Sequence, residues 1–206
     1  MYTLWESYLL PYTNLRWLQT LLDSVKANIL SMADQIQRAN AQCTIRIAFV
    51  GYNDDDCRAP PPFQDFTEDM QSFREWLGKV ELAGGCDTAE DIFSGLQAAG
   101  RLQWRSCNRV LVHIADHPCH GAEFHDFGHD VRHDRYSAGD KQGRKADVLL
   151  RHLAEGCKLD VYLFCHLTEH TKTMLKRFHE LLGATFRHVQ NLPRDVYMSW
   201  DTSDVL

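Results

Sequence analysis

Between Leu15 and Ile36, apolar side chains fall at Leu18, Leu22, Val25, Ile29, Met32 and Ile36. Steps of three or four line one face of a helix, so the pattern predicts a long amphipathic helix. From Thr44 to Tyr52 (TIRIAFVGY) the period gives way to a continuous β-branched and aromatic run, ended by Asn53-Asp54-Asp55-Asp56. It reads as a buried strand. Pro60-Pro61-Pro62 forbids regular structure, and Phe63 to Phe66 then fits a short edge strand. Thr67, Glu68 and Asp69 form a helix start, with Met70, Phe73, Leu77 and Val80 as the core stripe behind it. Gly84-Gly85 breaks the chain before a helix carrying Ile92, Leu96 and Ala99.

The clearest strand is Arg109 to Ala115 (RVLVHIA). After it, Asp116 to Lys145 is a long polar stretch rich in histidine and glycine, a length that marks either a functional loop or a mobile one. Helix (146 to 157), strand (159 to 166), helix (171 to 182) and a short strand (185 to 189) follow, and the signal fades after Pro193. Strand and helix alternate, and the strands are unbroken apolar runs. Both features predict an α/β domain: a doubly wound, mostly parallel central sheet with helices on both faces. Residues 1–14 read as an atypical N-terminal segment, 15–190 as the domain and 191–206 as a tail. In such sheets ligands bind beyond the carboxyl ends of the strands. Here those ends are Tyr52-Asn53-Asp54, Asp116-His117 and His166-Leu167-Thr168.

A length of 206 residues suits one domain with a substantial core. The net charge of −6 argues against nucleic acid as the main partner, because phosphate contacts need a basic face. No apolar stretch approaches the roughly 20 residues of a membrane span. Met1 to Glu6 lacks the basic start of a secretory signal. Seven cysteines without a paired CxxC spacing suit reduced thiols, and a cytoplasmic location is expected.

Three segments converge on the strand ends: GYNDDDC with Asp54, GGCDTAED with Asp87 and Thr88, and ADHPCHG with Asp116 and His117. Carboxylates facing a threonine hydroxyl form a hard-oxygen environment suited to Mg²⁺ or Ca²⁺. These segments, with FQDFTEDMQSFREWL, the W-x4-RVLVHIADHPCHG run and the later D-VYLFCHLTEHTKTMLKRF, resemble in order the von Willebrand factor A (vWA) domain associated with the alpha-kinase family. The resemblance runs from about Leu21 to Val189. It implies a Rossmann-like sheet and a metal-ion-dependent adhesion site, whose ion takes its last ligand from a partner's acidic side chain. By position, Asp116 matches the final ligand and Cys86-Asp87-Thr88 the middle loop. The first loop, DxTxS in the family, has no counterpart in Pro11 to Trp17, where Thr13 alone fits. The first central strand is likewise poorly matched or missing, since Glu6 and Pro11 interrupt the residues available for it.

Each candidate has a plainer reading. Asp116 also suits a turn closing a strand. Asp87 and Thr88, followed by Glu90 and Asp91, suit helix capping. Asp54 to Asp56 suit a solvated turn. His113, His117, His120, His125, His129 and His133 lie within 21 residues around Cys119. Three or four of these converging would suit zinc, although no pair has finger-type spacing. The resemblance at the PCHG run and a later His implies a shared structural or metal role for Cys119, His120 and His125, the alternative zinc set. The plain alternative is a polar loop whose charge changes between about pH 5 and 7. A Cys119 nucleophile lacks a recognisable oxyanion hole, and a kinase lacks a nucleotide-binding glycine loop and a catalytic Lys and Asp/Asn set.

The expectation is therefore a non-enzymatic interaction module. Its protein partner docks at the carboxyl rim, with Asp54 and His117 on that surface and Mg²⁺ or Ca²⁺ at Asp116 with Asp87, Thr88 and Thr13. The alternative is a zinc-dependent or thiol hydrolase using residues 116–133. A decayed fragment without any ligand is the third reading.

Overall fold

The computed structural model describes residues 2–4, 23, 26–27, 30–31, 33–38, 42, 44–54, 60–81, 87–166 and 168–189. The strands are β1 (Tyr2–Leu4), β2 (Ile47–Gly51), β3 (Phe63–Thr67), β4 (Val110–Ala115), β5 (Val161–His166) and β6 (Phe186–Val189). They form one sheet in the order β3-β2-β1-β4-β5-β6. All neighbours are parallel except β2 and β3, so the Pro-preceded Phe63 segment is an antiparallel edge. The slot expected to lack a strand is filled. Tyr2–Leu4 pairs with Phe49, Val50 and Gly51 on one side and with Val112 and His113 on the other. The strand is three residues long, and Glu6 and Pro11 lie outside the described residues.

Helical residues 23, 26–27, 30–31 and 33–38 make up α1, followed by α2 (Met70–Gly78), α3 (Ile92–Gly100), α4 (Ala146–Arg151) and α5 (Lys172–Leu182). A wide π-type turn, His152–Gly156, extends α4. Asp69 caps α2 by accepting from the Gln71 and Ser72 amides, and Asp91 caps α3 by accepting from the Ser94 amide. Side-chain capping of this kind stabilises a helix by about 1 kcal/mol.

Alternate residues of the inner strands feed two cores. Val50 and Tyr52 of the β2 segment, Leu111 of β4 and Tyr162 and Phe164 of β5 pack with Ile92, Leu96, Leu150, Met174 and Phe178 from α3, α4 and α5. Ile47, Phe49, Val112, Ile114, Leu163 and Cys165 pack on the opposite face with Ala33, Phe73 and Leu77 from α1 and α2. This is why the strands read as unbroken apolar runs rather than in–out alternations. The chain is an α/β fold with helices over a mostly parallel sheet. Gly95 is required by packing: a Cβ there would stand 2.5 Å from Tyr52 Cδ1.

The strand order reverses between β1 and β4. At such a switch point the connections leave in opposite directions and open a crevice at the carboxyl ends. Asp116 directly follows β4 at that point. The stretch from Asp116 to Lys145 contains no regular element, yet Cys119, His120, Phe124, His125 and Asp134 within it are buried. It is a packed part of the rim.

Candidate functional site

Two segments meet at this rim. Glu90 and Cys119 form a parallel bridge. The Glu90 amide donates to Pro118 O (2.9 Å), the His120 amide donates to Glu90 O (3.4 Å), and the Thr88 and Ala89 amides both donate to His133 O (3.0 and 2.8 Å). The acidic segment before α3 is therefore stitched to the stretch after β4, and Asp54, leaving β2, joins it through His120.

His120 is the hub. Its Nδ1 lies 2.8 Å from Asp134 Oδ1 and its Nε2 3.0 Å from Asp54 Oδ1. Burial by itself lowers the basicity of this imidazole, but the hydrogen bonds and charges of Asp134 and Asp54 outweigh it and raise the pKa to about 9. Asp134 is fixed in turn by His125 Nε2, the Gly121 amide and the Tyr136 amide, each at 2.8 Å. Burial would raise the Asp134 pKa, yet these donors hold it well below the usual carboxylate range. Asp87 faces the same hub. Its Oδ2 accepts from the Arg135 amide (2.6 Å), while Oδ1 is buried without a hydrogen-bond partner. Burial is the chief cause of its pKa of about 6; the Arg135 amide opposes the rise and the charge of Asp54 adds to it. One donor atom each from Asp54, Asp87 and His120 lies within 4.8 Å of the others.

Asp116 lies in a different setting. It is 0% exposed, and neither carboxylate oxygen has a hydrogen-bond partner. His117 Nδ1 comes within 3.1 Å of Oδ2 without hydrogen-bond geometry, and the His117 ring stacks on His170 at 5.6 Å. The Asp116 backbone oxygen accepts from the Thr168 hydroxyl, which ties the ends of β4 and β5 together.

The structure thus places Asp54, Asp87, Thr88, Asp116 and His117 on one rim, but it groups them differently from the expectation. Asp87 turns to Asp54 and His120. The Thr88 hydroxyl is 3.0 Å from His133 Nδ1. Thr13 lies outside the described residues. The alternative zinc set does not converge: of its three members only His120 belongs to the donor group. His125 is spent on Asp134. Cys119 packs in the core, where burial pushes its thiol pKa well above the ordinary value, the reverse of what a thiolate nucleophile needs.

Sequence reasoning passed over Asp134 and Arg144. Arg144 clamps Asp91 and Asp140, each 2.5 Å from Nη2, and so holds the end of the long stretch to the α3 cap. The Asp and Arg density of 130–144 was the available signal, but no spacing in it singles out these two residues.

No family model matches the chain. Among curated proteins, the alpha-protein kinase vwkA of Dictyostelium discoideum is 31% identical over 132 residues, which is 63% of this chain and 20% of that protein. The chain is a homologue of that kinase. It spans about a fifth of the kinase's length. Among solved structures, an uncharacterized membrane spanning protein from Vibrio fischeri aligns over 82% of this chain and 77% of its own at 16% identity, with a TM-score of 0.31, too low to define a common fold. No helix among the described residues is long and apolar enough to cross a membrane.

Proposed function

We propose that this chain is a non-enzymatic interaction module of the vWA type that docks a protein partner on the carboxyl rim of a doubly wound sheet, through a divalent ion held at Asp116. The observation that carries the reading is the Asp116 carboxylate, buried at the strand-order reversal with neither oxygen in a hydrogen bond and with the His117 ring 3.1 Å from Oδ2. A buried carboxylate without donors is costly unless a cation or proton compensates it. Mg²⁺ or Ca²⁺ fits oxygen donors of this kind, and Thr88 lies on the adjoining segment. When bound, the ion would offer an open position to an acidic side chain of the partner. The reading extends to a cytoplasmic setting, in keeping with Cys107, Cys119, Cys157 and Cys165 being free thiols. It also extends to a role beside an alpha-type kinase, in keeping with the relative's printed name.

The reading predicts capture of Asp- and Glu-bearing peptides from an immobilised library in Mg²⁺, release by EDTA, and no capture by Asp116→Ala. Capture that survives EDTA, or that Asp116→Ala retains, contradicts it.

A further inference from the structure

The rim carries a second donor set that does not include Asp116. Asp54, Asp87 and His120 come from three separate stretches: the end of β2, the approach to α3 and the stretch after β4. All three are buried, at 3, 5 and 2% exposure. Asp54 and Asp87 each place a carboxylate oxygen within 4.8 Å of the other's and of a His120 ring nitrogen, and two like charges that close are favoured by a cation between them. Asp87 Oδ1 is buried with no hydrogen-bond partner.

We propose that Asp54, Asp87 and His120 bind one borderline divalent transition ion, with Zn²⁺ as the best chemical match. This goes beyond the docking reading and does not depend on it. Three arguments support it. The first is donor type: imidazole nitrogen suits zinc, iron, nickel and copper, whereas all-oxygen sets suit magnesium and calcium. One nitrogen with two carboxylate oxygens therefore favours zinc over Mg²⁺.

The second is orientation. Metal-binding histidines almost always give their other ring N–H to a carboxylate, which fixes the tautomer. Asp134 Oδ1, 2.8 Å from His120 Nδ1, is placed for that role. Asp134 is itself locked by three further donors, so the ring cannot easily turn. His120 Nε2 is left facing Asp54, 3.0 Å away. Ligands at ~2.0–2.2 Å from a tetrahedral zinc stand roughly 3.3–3.6 Å apart, so small shifts would admit the ion.

The third is charge. Asp54, Asp87 and Asp134 crowd three carboxylates around His120 and His125. A divalent cation held among them would offset that concentration of negative charge. Three protein donors leave one tetrahedral position for water or a partner's donor.

The test is zinc titration of EDTA-stripped protein against a competing fluorescent chelator. The proposal predicts one tightly held zinc per chain. His120→Gln and Asp87→Asn each weaken it by more than the ~10–100-fold that loss of an outer hydrogen-bond partner costs, while Asp134→Asn falls within that range. Asp116→Ala leaves zinc affinity unchanged, which separates this site from the docking reading. Should the hub variants fail to fold by circular dichroism, the spectrum of wild-type protein loaded with Co²⁺ decides. Tetrahedral nitrogen and oxygen bands without thiolate charge transfer support the site; a thiolate band, or octahedral bands alone, overturns it. Zinc binding that folded His120→Gln and Asp87→Asn retain, or no stoichiometric binding by wild type, also overturns it.

Discussion

Glu90 and Cys119 pair as a parallel bridge, although 28 residues and a whole helix–strand unit separate them in the chain. That one bridge brings the acidic approach to α3 against the stretch after β4. It joins a helix approach and a strand end into a single rim, on which both cation proposals rest.

Cys119 tests the packing account of this bridge. Its side chain belongs to the apolar core and to no donor group. Cys119→Ala is expected to lower stability by about 1 kcal/mol, as removal of a small buried group does, and to leave divalent binding intact. Chemical denaturation and zinc titration of the variant check the two halves separately.

His113 predicts an acid limb of stability. It lies between Tyr52 Oη, 3.1 Å from Nε2, and Tyr162 Oη, 2.8 Å from Nδ1. Burial lowers its pKa from 6.5 to about 3. The native state thus holds the ring neutral, while the unfolded chain takes a proton near 6.5. Its contribution is complete above pH 6.5 and is lost as pH falls toward 3, with a slope of up to about 1.4 kcal/mol per pH unit. His113→Phe removes a hydrogen bond from each of two buried tyrosine hydroxyls and is expected to be less stable at pH 7, but with a flatter profile between pH 6 and 4. Urea unfolding across that range measures both.

Arg144 is the cation for Asp91 and Asp140, with side chains 8, 7 and 1% exposed. Arg144→Leu leaves two buried carboxylates uncompensated and is expected to cost about 3–5 kcal/mol. Arg144→Lys is expected to recover only part of this, since one ammonium cannot reproduce the fork that meets both partners. Thermal melts of the two variants rank them.

Two glycines on helices give opposite signs. At Gly78 nothing lies within 4 Å of an added Cβ, and Gly78→Ala is expected to stabilise by roughly 0.5–1 kcal/mol. At Gly95 the added Cβ would meet Tyr52 at 2.5 Å, and Gly95→Ala is expected to destabilise by about 1–3 kcal/mol despite better helix propensity. Equilibrium denaturation checks the pair.

Much of the fold was legible because its signals are local. TIRIAFVGY and RVLVHIA are continuous apolar runs, Asp69 and Asp91 are caps, and Pro60-Pro61-Pro62 marks the edge strand. β1 was not legible, because three residues before Trp5 are too few to show a period and only their pairing with β2 and β4 defines them. The site was legible as a place and less so as a set. Strand ends pointed to Asp54 and Asp116. Which histidine meets which carboxylate depends on how residues 116–145 pack, and no periodicity encodes that. Proximity in sequence grouped Cys119 with His120 and His125, whereas packing sends the thiol into the core and the two imidazoles to Asp134.

Calorimetric titration of Mg²⁺ into EDTA-stripped protein, wild type beside Asp116→Asn, tests the central claim most directly. The account predicts one saturable Mg²⁺ site in wild type and none in Asp116→Asn. It further predicts that Asp116→Asn melts no lower than wild type in EDTA, because the substitution removes a buried charge that accepts no hydrogen bond. Equal Mg²⁺ binding by both proteins, or no binding by wild type, would contradict it.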